Sequence, residues 1–348
     1  MGPEAHFWVI GAGAVGSTLA AMLEGGAPGH VTLVGGSAHW RAVRERGLVV
    51  ETGDAGAGGS SPVSLQTASP AEVPRLGSDD LALLTGKLTR LEETALWLRE
   101  RLGPSAGAVA LQNGLRVDER VGERLGRSID RGLVYFGARV PEPGRLLYYP
   151  GRLRLRDAPA TRILAERLGR EGPECELLAD LRAAEWEKLS INCLANPLAA
   201  LLGGCNADLA DPGLDRLKAP LLAEVRAVAA AEGVELEMTP GDFNRYIGGA
   251  TGGNIPSMAV DIARGEPTEI EYLNGEIVRL GRERGIPTPV NATVADLVRA
   301  LERRAVGRSG PAPETTGAGK RERRREHGEE ARSIVREPGA GAARPSGG

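Results

Sequence analysis

From residue 7 to about residue 150, short apolar runs alternate with helix-length stretches of mixed polarity. The runs 7–10, 31–34, 81–84, 108–111 and 133–136 are rich in aliphatic residues and bounded by turn-forming ones, which predicts strands. Strands spaced in this way, with helices as crossovers, assemble into a parallel sheet. From Leu181 onward the strand signal fades, and segments 184–202, 214–232, 268–284 and 292–303 carry helical spacing. In the third of these, Ile270, Leu273, Ile277 and Leu280 recur at i, i+3, i+7 and i+10. Thr268 with Glu271 forms a T-x-x-E capping box, and Gly285 and Pro287 end the run.

Two stretches break the pattern. Segment 53–60 is so rich in Gly and Ser that it reads as a mobile loop within the first region. After about residue 304, Arg, Glu, Gly, Ala, Pro and Ser take over and aliphatic periodicity is lost, which predicts a disordered tail over 304–348. Its basic run 320–325 has Glu322 inside it and Glu329 and Glu330 close behind, so a solvated tail is expected rather than a nucleic-acid site.

Composition narrows the function. Lys+Arg 43 against Asp+Glu 46 leaves a net charge of -3, with no global field to gather nucleic acid or an anionic membrane. The three cysteines, Cys175, Cys193 and Cys205, lack C-x-x-C spacing and point to neither a disulfide framework nor a zinc site. The first apolar run is too short for a signal or a membrane span, so a cytoplasmic protein acting on a small molecule is expected. Asn291 and Thr293 match the glycosylation sequon, which in that compartment has no consequence.

Gly11, Ala12, Gly13, Ala14, Val15 and Gly16 spell G-x-G-x-x-G between a predicted strand and a helical run, the context a dinucleotide-binding turn requires. Gly11 permits the tight turn, Gly13 a close approach of backbone to pyrophosphate, and Gly16 the packing of helix on strand, while the helix N-terminus offers free N–H donors. The end of the second strand, where an acid selects NAD and an Arg selects NADP, reads Gly35, Gly36, Ser37. That leaves the choice open here, with Ser37, His39, Arg41 and Lys87 as candidate phosphate donors, although His39 and Arg41 are equally ordinary surface residues.

Lys188, Asn192 and Asn196 stand at i, i+4 and i+8, one seam of a helix whose other faces carry Ile191, Leu194, Ala195 and Leu198. A buried helix keeps three polar residues in line when they face a cleft or bond to one another. Pro197 lacks an N–H and should kink the helix and leave a carbonyl unpaired. Hydride delivered to a keto carbon leaves negative charge on oxygen, which a placed ammonium both stabilises and protonates. None of His6, His30, His39 and His327 is suitably placed and no metal cluster is apparent, so Lys188 is the candidate acid. Burial would lower its pKa and a carboxylate would raise it again, so a partner is expected.

Asn113, in Gln112-Asn113-Gly114, and Lys87 both follow predicted strands, at the carboxyl edge where a doubly wound sheet meets its ligand, though an Asn-Gly turn alone would also explain the first. Asn254, Ile255, Pro256 and Ser257 form a turn before a short helix containing Asp261, and Glu269 begins the next helix, where the dipole favours a carboxylate in any case.

These motifs, in this order over residues 6–303, resemble the ketopantoate reductase family (2-dehydropantoate 2-reductases). The most specific are K-L-x-x-N-x-x-x-N-P-L at 188–198, and N-x-P-S-M-x-x-D-I with T-E-I-E-Y-L-N-G between 254 and 275. The resemblance implies an α/β fold, with an N-terminal Rossmann doubly wound parallel sheet over 1–180, an all-helical domain over 181–303, and the active site between them. It implies reduction of ketopantoate to (R)-pantoate with NADPH, on the way to pantothenate and coenzyme A. Lys188 would be the proton donor, and Asn192, Asn196 and Ser257, with Asn206 and Asn254, would hold the substrate. Asn113 would serve both ligands, the turn from Gly11 to Gly16 with Lys87 and Ala138 would contact NADP(H), and Glu269 would lie beside Lys188 and the cofactor ribose.

Two departures stand out. The family places an Arg near position 36, where this chain has Gly36, and its chains end near residue 303. The alternatives are a reductase of another small branched 2-keto acid and, from a different class, a non-catalytic dinucleotide-binding sensor. A small 2-keto acid is the expected partner, without nucleic acid or membrane, and a homodimer is the favoured assembly.

Overall fold

Aliphatic strands buried on both faces need helices on both faces, and that requirement organises the first half of the molecule. The computed structural model describes residues 5–26, 28–53, 62–169, 172–249 and 251–308. All five expected strands form: β1 (His6–Ile10), β2 (Val31–Val34), β5 (Asp80–Leu84), β6 (Gly107–Ala110) and β7 (Asp130–Val134). The last begins and ends earlier than its apolar run, leaving Tyr135 and Phe136 just past it. Also present are β3 (Val49–Thr52), β4 (Gln66–Ala68), β8 (Gly137–Arg139), β9 (Arg145–Tyr149), β10 (Arg152–Arg156) and β11 (Glu174–Leu178), which the sequence reading did not resolve.

Among the described residues the main sheet runs β11-β10-β7-β6-β5-β1-β2-β4, and β3-β9-β8 make a smaller one. Pairing in the main sheet is parallel except where β10 meets β7. The chain leaves β1 toward β2 and β4, then returns to β5 on the other side of β1. That reversal opens a crevice at the carboxyl end of β1, where the glycine-rich turn lies. Alternate residues of β5 face opposite ways: Leu81 and Leu83 pack in the layer of α1 (Ala14–Gly26), while Ala82 and Leu84 pack in the layer of Leu91, Ala95 and Leu98. The other helices of this half are α2 (Ala38–Arg46), α3 (Leu91–Arg101), α4 (Val117–Leu125) and α5 (Pro159–Leu168).

The helical half contains α6 (Arg182–Leu202), α7 (Asn206–Leu209), α8 (Asp215–Ala231), α9 (Pro240–Ile247), α10 (Ser257–Arg264), α11 (Asn274–Arg284) and α12 (Pro289–Arg308). Two apolar clusters meet on α6, with Trp186, Leu189 and Cys193 in one and Ile191, Leu194 and Leu198 in the other. Both halves belong to one compact unit reaching Gly307. Helix α12 continues past residue 303, while residues 309–348, with the basic run 320–325, and residues 54–60 of the Gly/Ser-rich segment lie outside the described residues. Among the described residues no helix is long and apolar enough to cross a membrane.

The expected single helix over 268–284 is two pieces. A short 3-10 turn, Ile270–Tyr272, is followed by α11, with Leu273 between them at φ -110, ψ -101. The T-x-x-E box does not close, because both ends have partners on α12. The Thr268 N–H donates to Glu302 Oε1 at 2.7 Å, and Glu271 is gripped by Arg299 at 2.6 and 2.7 Å. Tertiary charge pairing has displaced a local cap.

Pro197 leaves the Cys193 carbonyl, four residues earlier, without its helical donor. The wholly buried Asn274 fills that role, its Nδ2 donating to Cys193 O at 3.0 Å and to Asn291 Oδ1 at 3.0 Å. Asn291, the sequon residue, is itself wholly buried and donates to Glu224 Oε2 at 2.7 Å. Asn274→Ala is expected to strand the Cys193 carbonyl and lower unfolding free energy by about 1–3 kcal/mol. Urea denaturation checks this, and an unchanged midpoint would show that the carbonyl does not need the amide.

Candidate active site

The turn after β1 shows what each glycine is for. Gly11 adopts φ +119, and a Cβ there would lie 2.5 Å from Gly86 N; at Gly16 it would lie 2.0 Å from Gly11 O. Both positions exclude any side chain. A Cβ at Gly13 would meet no atom within 4 Å, so this glycine keeps open space in front of the first turn of α1 rather than permitting internal packing. The space is part of a cavity of about 750 Å³. The turn and the ends of β2, β5 and β6 form one wall, and α6 with the segment 251–269 forms the other.

On α6, the seam of Lys188, Asn192 and Asn196 faces this cavity, as the periodicity predicts. Asn192 Nδ2 donates to Asn113 Oδ1 at 3.3 Å, and Asn113 Nδ2 donates to Glu269 Oε2 at 3.4 Å. Glu269 Oε1 accepts the Leu88 N–H at 2.8 Å. Burial raises the Glu269 carboxyl above its ordinary range, opposed by the Leu88 and Asn113 bonds. This relay ties the turn after β6 to α6. Farther along, Ser257 Oγ donates to Asn196 Oδ1 at 3.3 Å. Asn206 Nδ2 donates to Thr251 O at 2.9 Å, and the Asn206 N–H donates to Asn254 O at 2.9 Å. The side-chain oxygens of Gln112, Asn206 and Asn254 are buried and, among the described residues, have no partner. Three unmatched acceptors on one cavity suit a ligand rich in hydroxyl or amide donors.

Lys188 is partly buried, and among the described residues its Nζ has no hydrogen-bond or ion-pair partner. Its contact is the Tyr135 ring, 4.8 Å from Nζ to centroid. Burial lowers its pKa to about 8, with Glu187 acting in the opposite sense. Glu269 shares the cavity, but its bonds go to Leu88 and Asn113, so it is linked to the lysine's helix through the two asparagines rather than by a bond to the ammonium. Lys87 crosses the mouth of the cavity to Asp261 Oδ1 at 2.9 Å and Glu266 Oε2 at 2.5 Å. Burial, opposed by Lys87, pushes the Asp261 carboxyl up to about 6. Ala138 lies in β8 on the same wall.

Of the candidate phosphate donors, Ser37 caps α2, accepting the Trp40 N–H at 3.1 Å, and the exposed Arg41 donates from Nη1 to Gly36 O at 2.9 Å. His39 is not a surface donor. It is buried, its Nδ1 accepting the Gly144 N–H at 3.1 Å and its Nε2 pairing with Ser17 Oγ at 3.0 Å, and burial together with Arg264 lowers its pKa. Tyr135, Gln112, Arg139 and Arg264 also line the cavity and were not singled out from sequence. The first two lie beside motifs that were, at the end of the 133–136 run and next to Asn113.

Comparison with known proteins gives a consistent result. Residues 7–158 match the family model for ketopantoate reductase PanE/ApbA, and residues 180–302 match the model for its C-terminal part. A protein of Caulobacter vibrioides named 2-dehydropantoate 2-reductase is 32% identical, covering 84% of this chain and 97% of its own length. The crystal structure of a PanE/ApbA family ketopantoate reductase from Ralstonia eutropha JMP134 aligns with a TM-score of 0.75 at 31% identity, covering 86% of this chain and 99% of that one. A ternary structure of D-mandelate dehydrogenase with NADH and anilino(oxo)acetate aligns with a TM-score of 0.76 at 25% identity, over 86% of this chain and 99% of that one.

Proposed function

The chain belongs to the ketopantoate reductase family, and from that premise we propose that it reduces 2-dehydropantoate to (R)-pantoate with NADPH, a step toward pantothenate and coenzyme A. The observation that carries this reading is Lys188, an ammonium without an ion-pair partner on the cavity wall facing the glycine turn. Residues 1–180 are the cofactor domain and 181–303 the substrate domain.

The dinucleotide, when bound, supplies the hydride. The turn from Gly11 to Gly16 takes its phosphates on the open side of Gly13, while Lys87, Asn113, Ala138 and Glu269 flank the rest of it. Asn192, Asn196, Asn206, Asn254 and Ser257 bind and orient the keto acid. Lys188 stabilises the charge that develops on the keto oxygen and donates the proton from Nζ. With His39 internal, selection of the extra phosphate of NADPH falls to Ser37 and Arg41 at the end of β2.

The second reading, a reductase of a different 2-keto acid using NADH, draws on Gly36 and on the likeness to D-mandelate dehydrogenase. Cofactor oxidation by purified protein separates the two, with ketopantoate and phenylglyoxylate each tested with NADPH and NADH. The first reading expects NADPH with ketopantoate to be fastest, and an NADH and aryl-keto-acid preference favours the second. No turnover with any pair, despite dinucleotide binding, would replace both with a sensor.

A further inference from the structure

Lys188 needs something to hold its ammonium in place, and the carboxylates around it are occupied. Glu187, the adjacent residue on α6, takes a bond from Arg154 Nη1 at 2.5 Å, and the same guanidinium donates from Nε to Glu176 at 2.8 Å. Glu269 is bonded to Leu88 and Asn113, and Asp261 to Lys87. What remains is Tyr135, just past β7. Its ring centroid lies 4.8 Å from Lys188 Nζ, and its hydroxyl donates to Ala184 O at 3.0 Å, the carbonyl one turn before Lys188 on the same helix.

We propose that Tyr135 is the positioning residue for Lys188: its ring holds the ammonium by a cation–π contact, and its hydroxyl fixes the helix turn from which the lysine projects. The ring contact favours the charged form of the lysine, the form that can donate a proton. Burial keeps the Tyr135 phenol well above its ordinary range, so the ring stays neutral. Other groups act on the same place. Arg154 and Arg152 of β10 lie 5.1 and 5.6 Å from the same centroid, Tyr246 of α9 faces those arginines and Glu187, and Lys87, Asp261 and Glu269 look in from the rest of the cavity. The two arginines oppose a third cation, which makes the ring's contribution to Lys188 the more consequential.

The proposal rests on Lys188 as proton donor only for its kinetic consequence, so the primary test needs no turnover. The chain has four lysines, Lys87, Lys188, Lys218 and Lys320, few enough for their ε-carbon NMR signals to be titrated individually in ligand-free protein. Tyr135→Leu should lower the Lys188 midpoint by about 0.4–1.5 pH units, the usual strength of such a contact, while Tyr135→Phe keeps it. The alkaline limb of kcat should move by the same amount. If Tyr135→Leu does not fold, fluorinated phenylalanines at position 135 should lower the midpoint stepwise as the ring loses electron density at nearly constant size. A midpoint indifferent to ring substitution, or one that Tyr135→Phe moves as far as Tyr135→Leu, overturns the proposal.

Discussion

Replacing Lys188 with alanine is expected to lower kcat for keto-acid reduction by about a hundred- to ten-thousandfold, the range for removal of a general acid, while dinucleotide affinity and melting temperature hardly change. The small structural cost follows from the lysine's surroundings, since no hydrogen bond or ion pair is lost with it and only the Tyr135 contact goes. Steady-state kinetics beside fluorescence titration of NADPH would check both halves, and an unaltered kcat would remove Lys188 from the mechanism. The pH dependence has a definite sign. A donor must carry its proton, and burial has brought this ammonium down to about 8, so kcat should hold below that pH and fall above it.

The second large effect is on stability. Arg131, wholly buried in β7, donates from Nε to Glu185 Oε1 at 2.8 Å, from Nη1 to the carbonyls of Ala110 at 2.9 Å and Gly132 at 2.7 Å, and from Nη2 to Gly114 O at 2.9 Å. One guanidinium thus joins the sheet, the turn carrying Asn113, and the first turn of α6. Removing the carboxylate leaves that cation buried and uncompensated, so Glu185→Ala should cost about 3–5 kcal/mol. Urea unfolding measures it, and a loss below about 1 kcal/mol would mean that the three carbonyls suffice. Glu185→Gln, which keeps an acceptor, should fall between.

The central strands and the glycine turn were legible because four-residue apolar runs and G-x-G-x-x-G are local signals, each readable in a few consecutive residues. The seam on α6 was legible for a related reason: three polar side chains in register on an apolar helix mark one face toward polar surroundings. What escaped depends on partners distant in the chain. The Thr268 and Glu271 box lost to Glu302 and Arg299 on α12, which no window around residue 270 contains. His39 looked like a surface residue until Ser17 and Gly144 closed on its two nitrogens. Lys188 called for a carboxylate partner on general electrostatic grounds, but Arg154 had taken Glu187 and an aromatic face stood in its place.

The bond from Asn274 to the carbonyl beneath Pro197 also bears on how this sequence can change over generations. A chain that replaced Pro197 with a residue bearing an N–H would return the helix's own donor to Cys193, and Asn274 would then be free to drift toward an aliphatic side chain. Taken in the opposite order, the same two substitutions pass through a form with a stranded carbonyl. One hydrogen bond therefore makes the two positions a linked pair with a preferred order of replacement, although they lie on different helices and neither has a proton to give the substrate.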